Sequence, residues 1–366
     1  MDFRFNKKMK HLSIIIPVFN EEENIEKILD ELFKNEKLKS LKFEIIFSDG
    51  GSSDETINII KKILSIKKDI ILINPRLRTD LINSVLKGME IAHGKLVAVM
   101  DGDLQHRVSD LVDMIDKLNN NKADLIVGSR KLNDENIALS SARKRLSLLG
   151  NNVLRYCFGI KISDILSGFF IIRREKIIKD IFLHKPAGFK VLFHVLSTCK
   201  NLKIVEHPIN FDERVFGESK LNLRVIYDFV IQVSTRIIPL SLPTQFVSFA
   251  FIGTLGAIIH FFVFFSFMEI YNSYIIANLS ALMTASGFNF LVNNYLTFAS
   301  TSLKGKLLIK GGIIYLVISL ITALSSTYFT NGYVKVGMVP IIGTCISAII
   351  DSVFKYIIVR KLIWKN

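Results

Sequence analysis

The stretch KLVAVMDGDLQHR, residues 95–107, joins a short apolar run to two aspartates one residue apart. The run reads as a buried β-strand, since a few consecutive apolar residues bounded by polar ones suit a strand covered on both faces. Asp101 and Asp103 then fall at its mouth, with Gln105 and His106 close behind. Like charges this close resist desolvation and call for a cation or a proton between them.

The same rhythm recurs on either side. LSIIIPV (12–18), FEIIFS (43–48), DIILIN (69–74) and DLIVGS (124–129) are further strand-like runs. Between them Ile25, Ile28, Leu29 and Leu32, then Ile57, Ile60 and Leu64, then Leu81, Val85, Leu86 and Met89, then Leu111, Ile115 and Leu118 repeat at helical spacing. Asp54 stands where a helix cap is expected. Strands alternating with helices predict an α/β domain with a mostly parallel sheet covered on both faces. Ligands of such sheets collect beyond the carboxyl ends of the strands. PVFNE, SDGGSSD, DGDLQH and GSR all fall there, so four polar clusters converge on one edge.

The 366 residues have a mean hydropathy of +0.37 and a formal net charge of +14. From Phe246 onward charge nearly vanishes, and four apolar segments run near 246–268, 274–298, 307–330 and 338–359. Each is long enough for a hydrocarbon core of ~30 Å at about 1.5 Å per residue. Lys304, Lys306 and Lys310 mark the second connection as cytoplasmic, as Arg360, Lys361 and Lys365 mark the C-terminal end. A multi-pass membrane protein is expected, with its N-terminal domain and both ends in the cytoplasm. The basic balance then suits an anionic membrane surface better than nucleic acid. Ahead of these segments Arg224, Asp228, Gln232 and Arg236 recur every four residues, predicting an amphipathic helix in the membrane interface over 222–245. Cys157, Cys199 and Cys345 lack ligand spacing, which argues against a disulfide framework. The first twenty residues break at Pro17 and do not read as a signal peptide.

Three readings compete for the acid pair. A calcium loop fails at its sixth position, His106, and its twelfth, Val112. An aspartyl-phosphate motif lacks its usual continuation at Leu104 and Gln105 and comes after three strands. The third is a Mg²⁺ or Mn²⁺ clamp on a nucleotide diphosphate, a hard cation held by one or two carboxylates and by substrate oxygens. Gly102 would permit the turn that aims both acids outward, and Gln105 would add an amide oxygen.

IIIPVFNEEENI, SDGGSSDET, VMDGDLQH, VGSR, SGFFIIRR, GFKVL and ERVFGESKL, in this order, resemble the family-2 glycosyltransferases. The subgroup is that of dolichol-phosphate mannose synthases and polyprenyl-phosphate glycosyltransferases. FVSFAFIGTLGAIIHF and GFNFLVNNYLTFAS resemble the GtrA-type membrane domain often fused to them. The resemblance implies a GT-A domain over 1–221, an interface helix region over 222–245 and four transmembrane helices over 246–366. It further implies that Pro17, Phe19, Asn20 and Glu21 line the base and ribose and that Asp49 contacts the nucleotide. Asp101, Asp103 and Gln105 would hold the metal. Arg130 and one of Arg143 or Arg145 would face phosphates, Ser167 would shape the acceptor side, and Arg214, Ser219 and Lys220 would lie on a loop closing over the pyrophosphate.

The implied reaction is inverting transfer of a sugar from a sugar nucleotide, GDP-mannose first and UDP-glucose second, to polyprenyl or dolichyl phosphate. Membrane lipids are the further expected partner, nucleic acid is not one, and homo-oligomerisation is left open. A lipid-linked sugar flippase with a vestigial transferase domain is the alternative, with Glu269 and Asp351 as its only intramembrane acids. The chain departs from the family pattern at Gly50, at Asp80–Leu81, at Arg107, and at His194, where an acid is common.

Overall fold

The structure, a computed structural model, describes residues 10–73, 81–130, 141–183, 190–210, 223–237, 242–335 and 340–364. Two compact units divide the chain, Met1–Ile237 and Ile238–Asn366.

The first unit follows the order β1 (Leu12–Val18), α1 (Ile25–Lys34), α2 (Glu36–Ser40), β2 (Phe43–Asp49), α3 (Thr56–Leu64), β3 (Ile70–Ile73), α4 (Leu81–Ile91), β4 (Leu96–Val99), α5 (Val108–Asn120), β5 (Leu125–Arg130), α6 (Ser141–Phe158), β6 (Phe170–Arg173), α7 (Asp180–Leu183), α8 (Val191–Thr198), β7 (Ile204–Ile209) and α9 (Leu223–Ile237). The strands form one seven-stranded sheet, β3-β2-β1-β4-β6-β5-β7. β6 runs antiparallel to both neighbours, and the other strand pairings are parallel. The sheet is therefore mixed, and the reversal of β6 brings its first residues to the edge where the other strands end.

Alternation along β1 separates two apolar cores. Ile14 and Ile16 join Leu29, Leu32, Phe47 and Leu111 on one face. Ile15 joins Val85, Leu154, Leu192 and Val233 on the other. Burial on both faces explains why the strands read as unbroken apolar runs. The chain runs from β1 outward to β3 and then returns to place β4 on the other side of β1. Such a reversal opens a crevice at the carboxyl ends of the two central strands, the usual ligand position in wound α/β sheets.

The second unit consists of α10 (Thr244–Tyr271), α11 (Tyr274–Tyr295), α12 (Gly305–Lys335) and α13 (Pro340–Leu362), so a long helix falls in each of the four predicted segments. Among the described residues, Thr244–Tyr271, Tyr274–Tyr295 and Gly305–Ser325 are long and apolar enough to cross a membrane. An aromatic core stacks Phe298 on Trp364 at 4.3 Å between ring centroids, with Phe290 and Tyr315 beside them. The Trp364 indole N–H and the Leu303 backbone N–H both donate to Asn294 Oδ1, at 2.9 and 2.8 Å.

Candidate active site

The loops after β1 and β2 are laced together. Asn20, in a left-handed conformation at φ 56°, donates its N–H to Ser52 Oγ at 2.9 Å, and its Oδ1 accepts from the Ser53 N–H at 2.9 Å. Glu21 N–H donates to Thr56 Oγ1, and Glu55 N–H donates to Glu22 Oε2, both at 2.8 Å. Asp54 Oδ1 accepts the Thr56 N–H at 3.1 Å, close to its predicted capping place. Asp49 is fully buried, and its carboxylate accepts from the N–H groups of Gly51 and Ser52 and from Ser52 Oγ. Asp49 therefore organises its own loop. Pro17 lies buried inside β1 opposite Ser48, which leaves Phe19, Asn20 and Glu21 as the accessible part of that group.

The acid turn after β4 is held from within. Asp101 N–H donates to His106 Nδ1 at 3.1 Å, and Gln105 N–H donates to Asp103 Oδ1 at 3.2 Å. The accepting Nδ1 places the ring proton on Nε2. Burial holds His106 well below the ordinary imidazole value, at about 4; the Arg130 charge adds to this, while Asp103 and Asp164 oppose it. The neutral ring stacks on Phe169 at 4.7 Å. His106 thus braces the turn, a role that sequence spacing alone did not mark. The left-handed residue of the turn is Leu104, at φ 63°, and not Gly102. A Cβ on Gly102 would lie 3.3 Å from Ile16 Cγ2, a tight contact that asks that side chain to give by a few tenths of an ångström.

A second bracing system lies across the edge. Asp164 accepts from Arg130 Nε at 2.7 Å and Nη2 at 2.8 Å, a bidentate pair that is almost fully buried. Asn151 of α6 donates to Asp164 Oδ1 at 3.3 Å and accepts the Leu166 N–H at 3.2 Å. Burial pushes the Asp164 carboxyl upward, but hydrogen bonds and charge from Arg130 outweigh it and hold the group below the usual range. Ser167 is turned inward: its hydroxyl donates to Gly128 O at 2.6 Å and accepts from the Phe169 N–H at 3.2 Å. Ser167, expected to shape the acceptor side, ties β5 to the start of β6 through these two bonds. Beside it Gly168 lies against Asp101, where a Cβ would come 2.7 Å from Oδ2. Lys190, just before α8, donates Nζ–H to Leu166 O at 3.3 Å.

Arg143 and Arg145 lie in the first turns of α6, with Arg145 exposed. Arg214, Ser219 and Lys220 lie outside the described residues. Two residues of the polar stripe of α9 make contacts within the first unit. Gln232 Nε2 donates to Lys190 O at 3.1 Å, and Arg236 Nη2 donates to His194 Nδ1 at 2.6 Å and to Thr198 Oγ1 at 3.1 Å. Four-residue spacing defines a stripe but not its partner; here Arg236 bonds to α8 and the Gln232 amide N–H to Lys190, while Gln232 Oε1 is buried with no hydrogen-bond partner among the described residues.

Among the described residues no three His, Cys, Asp or Glu side chains group as a metal cage. Two adjacent carboxylates that leave most of a coordination shell to water and phosphate fit Mg²⁺ or Mn²⁺, which bind in that manner. Asp103, 4% exposed, and half-buried Asp101 are the residues that would hold such an ion, with Gln105 beside them.

A sheet in this order, with an acid pair at its switch point, has the architecture of nucleotide-binding α/β domains. Residues 13–182 match glycosyl transferase family 2, and residues 248–364 match the GtrA/DPMS transmembrane domain. Two family models thus match in succession, glycosyl transferase family 2 on the first unit and the GtrA/DPMS transmembrane domain on the second. It is 32% identical over 222 residues to the dolichol-phosphate mannosyltransferase of Pyrococcus furiosus, covering 60% of this chain and 61% of that one. It is 28% identical over 225 residues to the dodecaprenyl-phosphate galacturonate synthase of Rhizobium johnstonii, covering 60% and 65%. A dolichyl-phosphate beta-glucosyltransferase of Trichomonas vaginalis is 28% identical over 233 residues, covering 60% and 71%. The chain thus spans less than two thirds of the length of the first two relatives.

Proposed function

We propose that this chain transfers a sugar from a nucleotide diphosphate to the phosphate of a polyprenyl or dolichyl lipid, inverting the anomeric centre. The observation that carries this reading is the acid pair at the β1/β4 crevice of a chain that also holds a membrane domain. An exposed apolar stripe on α6, Leu149, Val153 and Tyr156, adjoins Lys144 and Arg145, as suits a lipid-borne anionic acceptor. GDP-mannose is the donor we assign, after the Pyrococcus relative, with UDP-glucose as the donor to test against it.

Phe19, Asn20 and Glu21 receive the nucleoside, with Pro17 and Asp49 shaping the strand end and loop that present them. Asp101, Asp103 and Gln105 would hold a divalent cation, which would supply charge neutralisation for the departing diphosphate. Arg214 and Lys220 are assigned to that same developing charge, and Ser219 to their loop. Arg130, fixed by Asp164, and Arg143 or Arg145 hold the acceptor phosphate. Its oxygen attacks the anomeric carbon from the face opposite the nucleoside diphosphate. Being already anionic, that oxygen needs no strong general base. The catalytic unit and both chain ends are assigned to the cytoplasmic side from the loop lysines and arginines.

The test is purified protein in detergent with polyprenyl phosphate, Mg²⁺ or Mn²⁺, and a panel of labelled sugar nucleotides. Lipid-extractable label from one donor, lost with chelator and in Asp103→Ala, is expected. Label formed undiminished in Asp103→Ala overturns the mechanism.

A further inference from the structure

The loop from Asp164 to Gly168 touches three charged groups at once. Asp164 grips Arg130, Leu166 O receives the Lys190 ammonium, and Gly168 lies against the Asp101 carboxylate. Asn151 holds this loop at two points, the Asp164 carboxylate and the Leu166 N–H. We propose that Lys190 is a second cation, beside Arg130, of the subsite that takes the phosphomonoester of the acceptor, a residue outside the set assigned above; this rests on the function proposed above.

Charge balance supports the assignment. Both Asp164 oxygens are engaged by Arg130, so that pair is neutral in itself. Lys190 brings an additional positive charge to the same cluster, where Arg130 repels it and Asp164 and Asp101 attract it. Once Asp101 and Asp103 serve a dication, Lys190 adds one positive charge to the cluster, which favours an anionic phosphate there. Lysine presents three N–H donors as a point charge, which suits a phosphate that must arrive and leave. The carbonyl of Lys190 is itself fixed by Gln232 of α9, so the residue is anchored at both ends.

Farnesyl phosphate, farnesol and inorganic phosphate serve as probes for the purified full chain in detergent, with binding followed by calorimetry without donor. Lys190→Met should weaken farnesyl phosphate binding by about tenfold, the size of one charge-assisted hydrogen bond. Farnesol binding and the KM for the sugar nucleotide should stay unchanged, while the KM for farnesyl phosphate rises. Lys190→Arg should recover most of the affinity, which a merely structural role would not predict for the phosphate arm alone. A folded Lys190→Met variant that binds farnesyl phosphate like the wild type overturns this inference and leaves the proposed function standing. Should that variant fail to fold, Lys190→Gln carries the same expectation and the same overturning result. Wild-type protein that binds inorganic phosphate but no farnesyl phosphate overturns both.

Discussion

The Asp101 carboxylate lies against the bare α-carbon of Gly168, where a methyl group would sit 2.7 Å from Oδ2 and 3.2 Å from Cγ. One chain segment thus sets the position of an acid that belongs to another. Gly168→Ala is expected to displace that carboxylate while the backbone, which is not left-handed there, tolerates the change. A shift of about 1 Å in such a group costs on the order of 100-fold in rate. The measurement is kcat against Mn²⁺ concentration; unchanged metal dependence in a folded Gly168→Ala protein would contradict the placement.

Asp164→Asn should destabilise the catalytic unit by about 3–5 kcal/mol, because it leaves the buried Arg130 guanidinium without its counter-charge. The folded Asp164 carboxyl lies below the usual range, so its contribution is present above the unfolded carboxylate pKa and is lost as pH falls through the folded one. Thermal melts of wild type and variant across the acid range should therefore converge at low pH. Arg130→Met with Asp164→Leu should regain stability without regaining acceptor binding.

Lys190 titrates in the opposite sense. Burial, reinforced by Arg130, lowers its pKa from 10.5 to about 8, with Asp164 and Asp101 opposing. Between these values the unfolded chain holds more protons than the folded chain, so stability from this group rises as pH climbs through 8. The excess stability of Lys190→Met over wild type should accordingly shrink between about pH 8 and pH 10.5. A difference that stays constant would count against the buried ammonium.

In the membrane unit, Asn294→Leu removes the acceptor shared by the Trp364 indole and the Leu303 N–H. Each buried donor left without a partner costs about 1–3 kcal/mol. A clear drop in the melting temperature of the helical unit in detergent is expected, with donor-nucleotide binding by the catalytic unit intact.

The central strands were legible because burial on both faces leaves an unbroken apolar signature, as in Leu12–Val18. The acid pair was legible because two adjacent carboxylates have few other uses. The reversed direction of β6 was not, since Phe170–Arg173 resembles the parallel strands in composition and only long-range pairing sets its sense. Asp164 escaped notice for a related reason: its partner, Arg130, is 34 residues away. The sequence marks Gly102 as the residue that permits the turn, whereas Leu104 bears the left-handed backbone.

The docking of α9 makes it a lever arm. Gln232 pulls on the Lys190 carbonyl and Arg236 on His194, both belonging to the segment that opens α8. A change in the pitch of this helix would therefore be felt first at the backbone of Lys190, whose ammonium meets the Leu166 carbonyl.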